Sequence, residues 1–258
     1  MTQQEPTEGA PLAGRTVLVT GGNRGIGLAI GLGVARAGAR VVLWGRDEAA
    51  NAAAAAQIEA AGGQVLALRC DVSDEAQVQE TFARTLAEVG TVDSVFANAG
   101  VNGRTAPFLE QTTQDWRQVL GVNLDGVIFT LRAALAHLVE RGEGGSLVAV
   151  GSVASRVVVR NHSPYTVSKA AVVGLMRSLA VEYARYGVRA NALLPGWVDT
   201  EMTSGASDAF RDQVVRRTPV RRFGTPDDFT RVAVFLADPT LTFHTGDSVL
   251  VDGGYLAV

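Results

Sequence analysis

Tyr165 and Lys169, in the segment Ser163-Pro-Tyr-Thr-Val-Ser-Lys169, are spaced to lie one above the other on a single helix face. An ammonium held beside a phenol favours the phenolate, so the tyrosine pKa is expected to fall from its ordinary value of about 10. Such a phenol can give or take a proton near neutral pH. A Tyr-x-x-x-Lys pair also arises on helices by chance. It gains weight here from Ser152, thirteen residues before the tyrosine, and from the glycine-rich run Thr20-Gly-Gly-Asn-Arg-Gly-Ile-Gly27.

Gly21, Gly25 and Gly27 sit between a β-branched run and a helical pattern. Glycines at such a junction let the backbone turn sharply and approach a phosphate closely. The free N–H groups at the start of the following helix, with the positive end of its dipole, favour that anion. The spacing is G-x-x-x-G-x-G, which differs from the G-x-G-x-x-G dinucleotide fingerprint. The end of the second strand should meet the adenosine ribose, where an acid selects NAD and an arginine accepts the 2′-phosphate of NADP. The segment there reads Trp44-Gly45-Arg46-Asp47. Gly45 stands where the acid is expected, Arg46 follows, and Arg24 lies inside the glycine turn. Two guanidiniums converging on one phosphate favour NADP(H), with NAD(H) left open by Asp47, which can equally be a helix cap.

The elements that must position these groups alternate along the chain. Strands are expected at residues 15–20, 40–44, 64–69, 93–97, 146–151, 188–194 and 248–251, short apolar runs closed by turn residues. Helices are expected at 25–37, from Asp47 to the glycines at 62 and 63, from Ser73 to about 89, through Trp116 and Asn123 to about 141, at 163–186, and after Thr225-Pro226-Asp227-Asp228. This β-α alternation predicts an α/β fold: a Rossmann-type, doubly wound parallel sheet of about seven strands with helices on both faces. Strands that are apolar throughout fit a sheet covered on both sides.

The chain has 258 residues, 47% of them apolar, and a net charge of −3 with both signs mixed. No basic block or polybasic patch is present to hold nucleic acid or a membrane surface. One cysteine, Cys70, excludes an internal disulfide and any multi-cysteine zinc site. His137, His162 and His244 are scattered, so no metal site is expected. The first ten residues are polar and acidic, without the apolar core of a secretory signal. No apolar run approaches the ~18–20 residues of a membrane span. A disordered tail over residues 1–12, one domain over 13–258 and a soluble cytoplasmic protein are therefore expected.

Taken together, these residues resemble the classical short-chain dehydrogenase/reductase family, from about Leu12 to Gly254. Thr20–Gly27 matches the family turn T-G-x-x-x-G-I-G, and Asn98-Ala99-Gly100 matches N-A-G, with Ala97 where a second asparagine is usual. Asn123, Ser152, Tyr165 and Lys169 match the catalytic positions. Pro195-Gly196 matches the turn below the nicotinamide, and Asp252-Gly253-Gly254 the carboxy-terminal motif. The resemblance implies a dinucleotide held by Gly21, Asn23, Arg24, Gly25, Ile26 and Gly27. Arg46 would take its ribose, Asp71 and Val72 its adenine, and Asn98, Ala99 and Gly100 its middle. Tyr165, Lys169, Pro195, Gly196, Val198 and Thr200 would hold the nicotinamide end.

It further implies hydride transfer between the nicotinamide and a ketone or secondary alcohol. Tyr165 would be the acid or base, Ser152 a donor to the substrate oxygen, and Lys169 a group that lowers the tyrosine pKa and bonds the ribose. Asn123 would hold a water in a proton relay. The substrate pocket is expected among residues 153–159, Asn102, His162 and a mobile lid over 197–217, with Val153, Trp197, Met202 and Phe210 as apolar wall. His162 could bond a polar substrate or have no role. The alternatives within the class are an NAD-dependent sugar or polyol dehydrogenase and a 3-oxoacyl thioester reductase. A different class, a non-catalytic NADP-binding sensor, would need no Ser152, Tyr165 or Lys169. The resemblance also implies a homotetramer, paired through the helices containing Trp116 and Tyr165 and through the last strand.

Overall fold

The computed structural model describes residues 9–258. Strand β1 (Thr16–Thr20) leads through the glycine turn into α1 (Gly25–Arg36), and β2 (Arg40–Gly45), α2 (Glu48–Ala60) and β3 (Gln64–Arg69) follow. Helix α3 (Glu75–Val89), β4 (Ser94–Ala97), α4 (Thr113–Leu120), α5 (Gly126–Arg141) and β5 (Gly145–Val150) come next. The rest comprises α6 (Ser163–Tyr183), β6 (Val188–Pro195), α7 (Asp208–Arg217), α8 (Thr230–Ala237) and β7 (Ser248–Val251).

All seven strands join one parallel sheet in the order β3-β2-β1-β4-β5-β6-β7. The order reverses between β1 and β4, and that switch point opens a crevice beyond the carboxyl ends of the strands. Period-two alternation divides each strand between two cores. Val17, Val19, Val41 and Leu43 join the cluster under α1, α2 and α8, while Leu18, Val42 and Trp44 join the cluster with α3, α5 and α6. The sheet is thus buried on both faces, which is why its strands read as continuous apolar runs.

Several local expectations change. Residues 1–8 of the expected tail lie outside the described residues. Leu12, its last residue, is fully buried, and its N–H bonds Ala37 O at 2.9 Å, because an apolar side chain beside the end of α1 finds a core to fill. Asp74, not Ser73, caps α3, its carboxylate accepting from the N–H groups of Ala76 and Gln77. The long helix through Asn123 is interrupted by a π turn over Gly121–Asp125. Counted as one, 113–141 is long and apolar enough to cross a membrane, contrary to expectation. Yet Val127, Leu131, Ala134, Leu135 and Leu138 fill the core beside β4 and β5, the place of an internal helix. Helix α6 ends at Tyr183 and passes into a 3-10 turn over Ala184–Tyr186. The segment expected as a lid contains a helix, α7, capped by Ser207.

Candidate active site

The crevice begins at the glycine turn. Gly21 and Gly25 adopt φ of +59° and +52°, conformations that favour glycine. A Cβ on Gly27 would lie 2.2 Å from Gly21 O, and one on Gly21 would lie 2.9 Å from Ala99 Cα. The turn therefore packs directly on the segment after β4. Asn98 fixes that junction: its Nδ2 donates to Thr20 O and Gly21 O, both at 3.0 Å, and its own N–H donates to Thr20 Oγ1. Ala99 N–H shares that hydroxyl at 3.1 Å. Thr20 is a positioning residue that the sequence did not single out beyond its place in the turn. Arg24, at the cap of α1, supplies no capping bond, so the first N–H groups of the helix remain open to an anion. These glycine-lined walls and open donors fit a dinucleotide pyrophosphate.

Around the expected ribose position, both arginines already face acids. Arg24 Nη1 bonds Glu201 Oε2 at 2.6 Å, and Arg46 Nη1 lies 3.9 Å from Asp71 Oδ2. Asp47 caps α2 through Ala50 N–H, as one of its two sequence readings allowed. Gly45 is not simply a vacant acid position: a Cβ there would lie 2.4 Å from Asn23 Nδ2 and from Asn51 Oδ1. Asn51, which the sequence did not flag, is buried and donates to Gly45 O and Leu68 O. Asp71 also accepts from the N–H and hydroxyl of Ser73, and Val72 is buried against Gly126.

Ser152, Tyr165, Lys169 and Asn123 converge at the carboxyl ends of β4 and β5. Ser152 follows β5 and caps a 3-10 turn over Val153–Ser155, its Oγ accepting from Ala154 N–H at 3.1 Å. Helix α6, begun with Pro164 in its first turn, presents Tyr165 and Lys169 to the same place. The Lys169 ammonium lies 5.7 Å from the Tyr165 ring centroid and donates to Val150 O at 2.8 Å. Asn123 is fully buried in the π turn; it accepts from Val101 N–H at 2.8 Å and donates to Val101 O at 2.9 Å and Ser168 Oγ at 3.2 Å. Gly100 lies between them: a Cβ there would be 3.5 Å from Lys169 Nζ and 3.4 Å from Asn123 Oδ1.

The electrostatics differ from the expectation in one respect. Burial pushes the Tyr165 phenol above its ordinary pKa, and the Ser152 hydroxyl beside it pulls in the opposite direction. The expected downward pull of Lys169 does not govern, because that ammonium is itself buried, and burial brings it down to about 8. The set can thus present a protonated phenol and a serine hydroxyl to one oxygen atom.

The floor and wall of the crevice come from β6 onward. Gly196 N–H bonds Val251 O at 2.9 Å, and a Cβ on Gly196 would lie 2.7 Å from Asp252 Cα, so the turn after Pro195 needs glycine. Val198 is buried, and Thr200 Cγ2 packs over Gly25. Trp197 stacks edge-on against Phe210 with centroids 4.8 Å apart, and Val153 is buried beside Ser152. Met202 is half-exposed, and its carbonyl accepts from Asn102 Nδ2 at 3.1 Å. His162 has both ring nitrogens engaged, one with Thr105 Oγ1 at 3.0 Å and one with Arg160 O at 2.9 Å. In this arrangement it ties two rim loops together.

The chain is similar to known proteins over nearly its whole length. The family model described as enoyl-(acyl carrier protein) reductase matches residues 21–256. The chain is similar to the L-rhamnose 1-dehydrogenase (NAD(P)+) of Sphingomonas sp. (strain SKA58), 37% identical over 94% of this chain and 96% of that one. It is similar to the 3-oxoacyl-(acyl carrier protein) reductase of Chlamydia pneumoniae, 33% identical over 94% of this chain and 97% of that one. The crystal structure of a gluconate 5-dehydrogenase from Burkholderia cenocepacia J2315 in complex with NADP and tartrate superposes with a TM-score of 0.92. That structure is 35% identical and covers 97% of this chain and 98% of its own.

Proposed function

This chain belongs to the classical short-chain dehydrogenase/reductase family, and from that premise we propose that it is an NADP(H)-dependent oxidoreductase interconverting a ketone and a secondary alcohol. The observation that carries the reading is the convergence of Ser152, Tyr165 and Lys169 on one cleft beside the glycine turn.

The bound nicotinamide would supply the hydride. Gly21, Gly25, Gly27 and the open start of α1 would hold its pyrophosphate, with Asn23 and Ile26 completing the turn. Arg24 and Arg46 would take the 2′-phosphate, Asp71 and Val72 the adenine, and Asn98, Ala99, Gly100, Pro195, Gly196, Val198 and Thr200 the remainder. Ser152 donates a hydrogen bond to the carbonyl oxygen of the substrate, where negative charge grows in the transition state. Tyr165 holds its proton at neutral pH, since burial raises its pKa, and delivers it to that oxygen as the alkoxide forms. In the oxidative direction the same phenolic oxygen removes the proton. Lys169, with a pKa of about 8, stands ready to replenish the phenol and to bond the nicotinamide ribose. Asn123 holds the backbone of Val101, and a water beside it would link Lys169 to solvent as a proton relay.

Similarity to an L-rhamnose dehydrogenase and a gluconate dehydrogenase supports a sugar or sugar acid as substrate, while similarity to a 3-oxoacyl reductase supports an acyl thioester. Both share the ketone–alcohol chemistry. Exposed apolar side chains on α6, Val167 and Val181, with Phe243 near β7, support assembly through these elements as a homotetramer.

The test is consumption of NADPH and of NADH against a panel of ketones, keto sugars and 3-oxoacyl thioesters. Turnover with a carbonyl substrate supports the reading. Tight dinucleotide binding without turnover of any carbonyl or alcohol would favour a binding protein instead.

A further inference from the structure

Arg24 belongs to the glycine turn, yet its strongest contact lies 177 residues away. Its Nη1 donates to Glu201 Oε2 at 2.6 Å, while Nη2 lies 4.0 Å from Asp47 Oδ2 and Nε lies 3.5 Å from Asn23 Oδ1. Glu201 opens the 3-10 turn Glu201–Thr203, immediately after Thr200. Thr200 packs over the same turn, its Cγ2 placed 3.3 Å from where a Gly25 Cβ would stand. The ion pair therefore pins the first residues of the segment leading to α7 onto the mouth of the dinucleotide crevice.

We infer that Glu201 is a specificity-determining residue for the cofactor, acting by competing with the 2′-phosphate for the Arg24 guanidinium. The inference rests on the NADP(H) reading above. Two guanidiniums at this corner, Arg24 and Arg46, face three carboxylates, Asp47, Asp71 and Glu201. A 2′-hydroxyl leaves that arrangement undisturbed. A phosphate ester, which carries a charge of about −1.5 to −2, cannot recruit Arg24 without displacing the Glu201 carboxylate or sitting beside it. Arg46 is the looser of the two, since its carboxylate partner is 3.9 Å away rather than 2.6 Å. The Arg24–Glu201 contact thus opposes NADP(H) selectively and keeps residues 200–203 seated when the ribose is unphosphorylated. Its release would couple recognition of the phosphate to freedom of the adjoining wall.

The size of the effect follows from exposure. The Arg24 and Glu201 side chains are 53% and 72% exposed, so they command the modest energy of a surface pair. Fluorescence titration of NADPH and NADH against the wild-type protein, Glu201→Gln, Arg24→Gln and the double variant, at low and high salt, tests this. Glu201→Gln is expected to tighten NADPH by roughly two- to fivefold and to leave NADH within about twofold. The gain should vanish in the Arg24→Gln background and shrink at high salt. An unchanged NADPH-to-NADH ratio in Glu201→Gln, or an equal gain without Arg24, overturns the inference alone. Wild-type protein that binds NADPH no tighter than NADH, with a ratio indifferent to Arg24→Gln, overturns the NADP(H) reading and the inference together.

Discussion

The Lys169 ammonium donates to the main-chain carbonyl of Val150, 2.8 Å away. Val150 is the last residue of β5, two positions before Ser152, and Lys169 is one helical turn beyond Tyr165. One hydrogen bond thus joins the strand that delivers the serine to the helix that delivers the phenol. It also explains how an ammonium survives full burial, since a buried polar group is costly unless it is bonded.

Replacing Lys169 separates stability from activity. Burial lowers its pKa to about 8, against about 10.4 in an unfolded chain. Below pH 8 both states are protonated, and the folded state bears the whole cost of the buried charge. As pH rises from there toward the unfolded value the unfolded chain binds more protons, so folding becomes more favourable; above it both states are neutral. The cost at neutral pH is about 3 kcal/mol, from which roughly 1 kcal/mol is deducted for leaving the Val150 carbonyl without its donor. Lys169→Met should therefore unfold later in urea at pH 7, by about 2 kcal/mol, while losing turnover. A stability gain that is the same at pH 7 and above about pH 10.5 would contradict the burial argument.

Tyr165→Phe removes the phenolic proton and leaves the ring. Turnover should fall by at least about a hundredfold, the usual contribution of a positioned acid. NADPH affinity measured by fluorescence should hold within about twofold, because the glycine turn is untouched. Near-normal turnover would assign the proton to another group.

Much of this site is written in local spacing, and what is not depends on distant packing. The glycine turn, the Tyr165–Lys169 interval and the apolar strands are short-range patterns, and each lies where those patterns place it. The π turn at Asn123 is hidden because the apolar periodicity runs through it from α4 to α5. Helix α7 is hidden for the opposite reason: Asp208–Arg217 is rich in charge and shows a single fully buried side chain, Val214. The rise of the Tyr165 pKa is hidden because the proximity of Lys169 is visible in a sequence and burial is not. Asn51 and Glu201 acquire their roles from partners 28 and 177 residues away.

Asn123→Ala should show how far the π turn depends on one amide. The side chain satisfies both the N–H and the carbonyl of Val101 and reaches Ser168 Oγ. Truncation leaves the Val101 N–H and carbonyl without this partner, at a cost of about 2–4 kcal/mol, while Ser168 Oγ keeps its bond to Tyr165 O. Urea unfolding should show a lower midpoint with an unchanged slope, together with reduced turnover. A variant as stable as the wild type would mean that water replaces the amide without penalty.

Gly45→Asp restores the acid that selects NAD by the usual rule, and here that rule should fail. A Cβ at Gly45 would stand 2.4 Å from Asn23 Nδ2 and from Asn51 Oδ1, two groups that bond each other at 2.8 Å. Asn51 cannot retreat freely, because its Nδ2 holds Gly45 O at 2.9 Å and Leu68 O at 3.1 Å, tying the end of β2 to β3. Displacing it costs about 1–3 kcal/mol of buried hydrogen bonding. The expected outcome is NADPH binding weakened by roughly tenfold through charge repulsion, lower stability in urea, and no compensating gain for NADH. Because the same amide resists the new side chain, Asn51→Ala should cost less stability in the Gly45→Asp background than in the wild type. If Gly45→Asp alone tightened NADH by about tenfold with stability intact, the two amides would have to yield without resistance, and the corner would not be built as a packed unit.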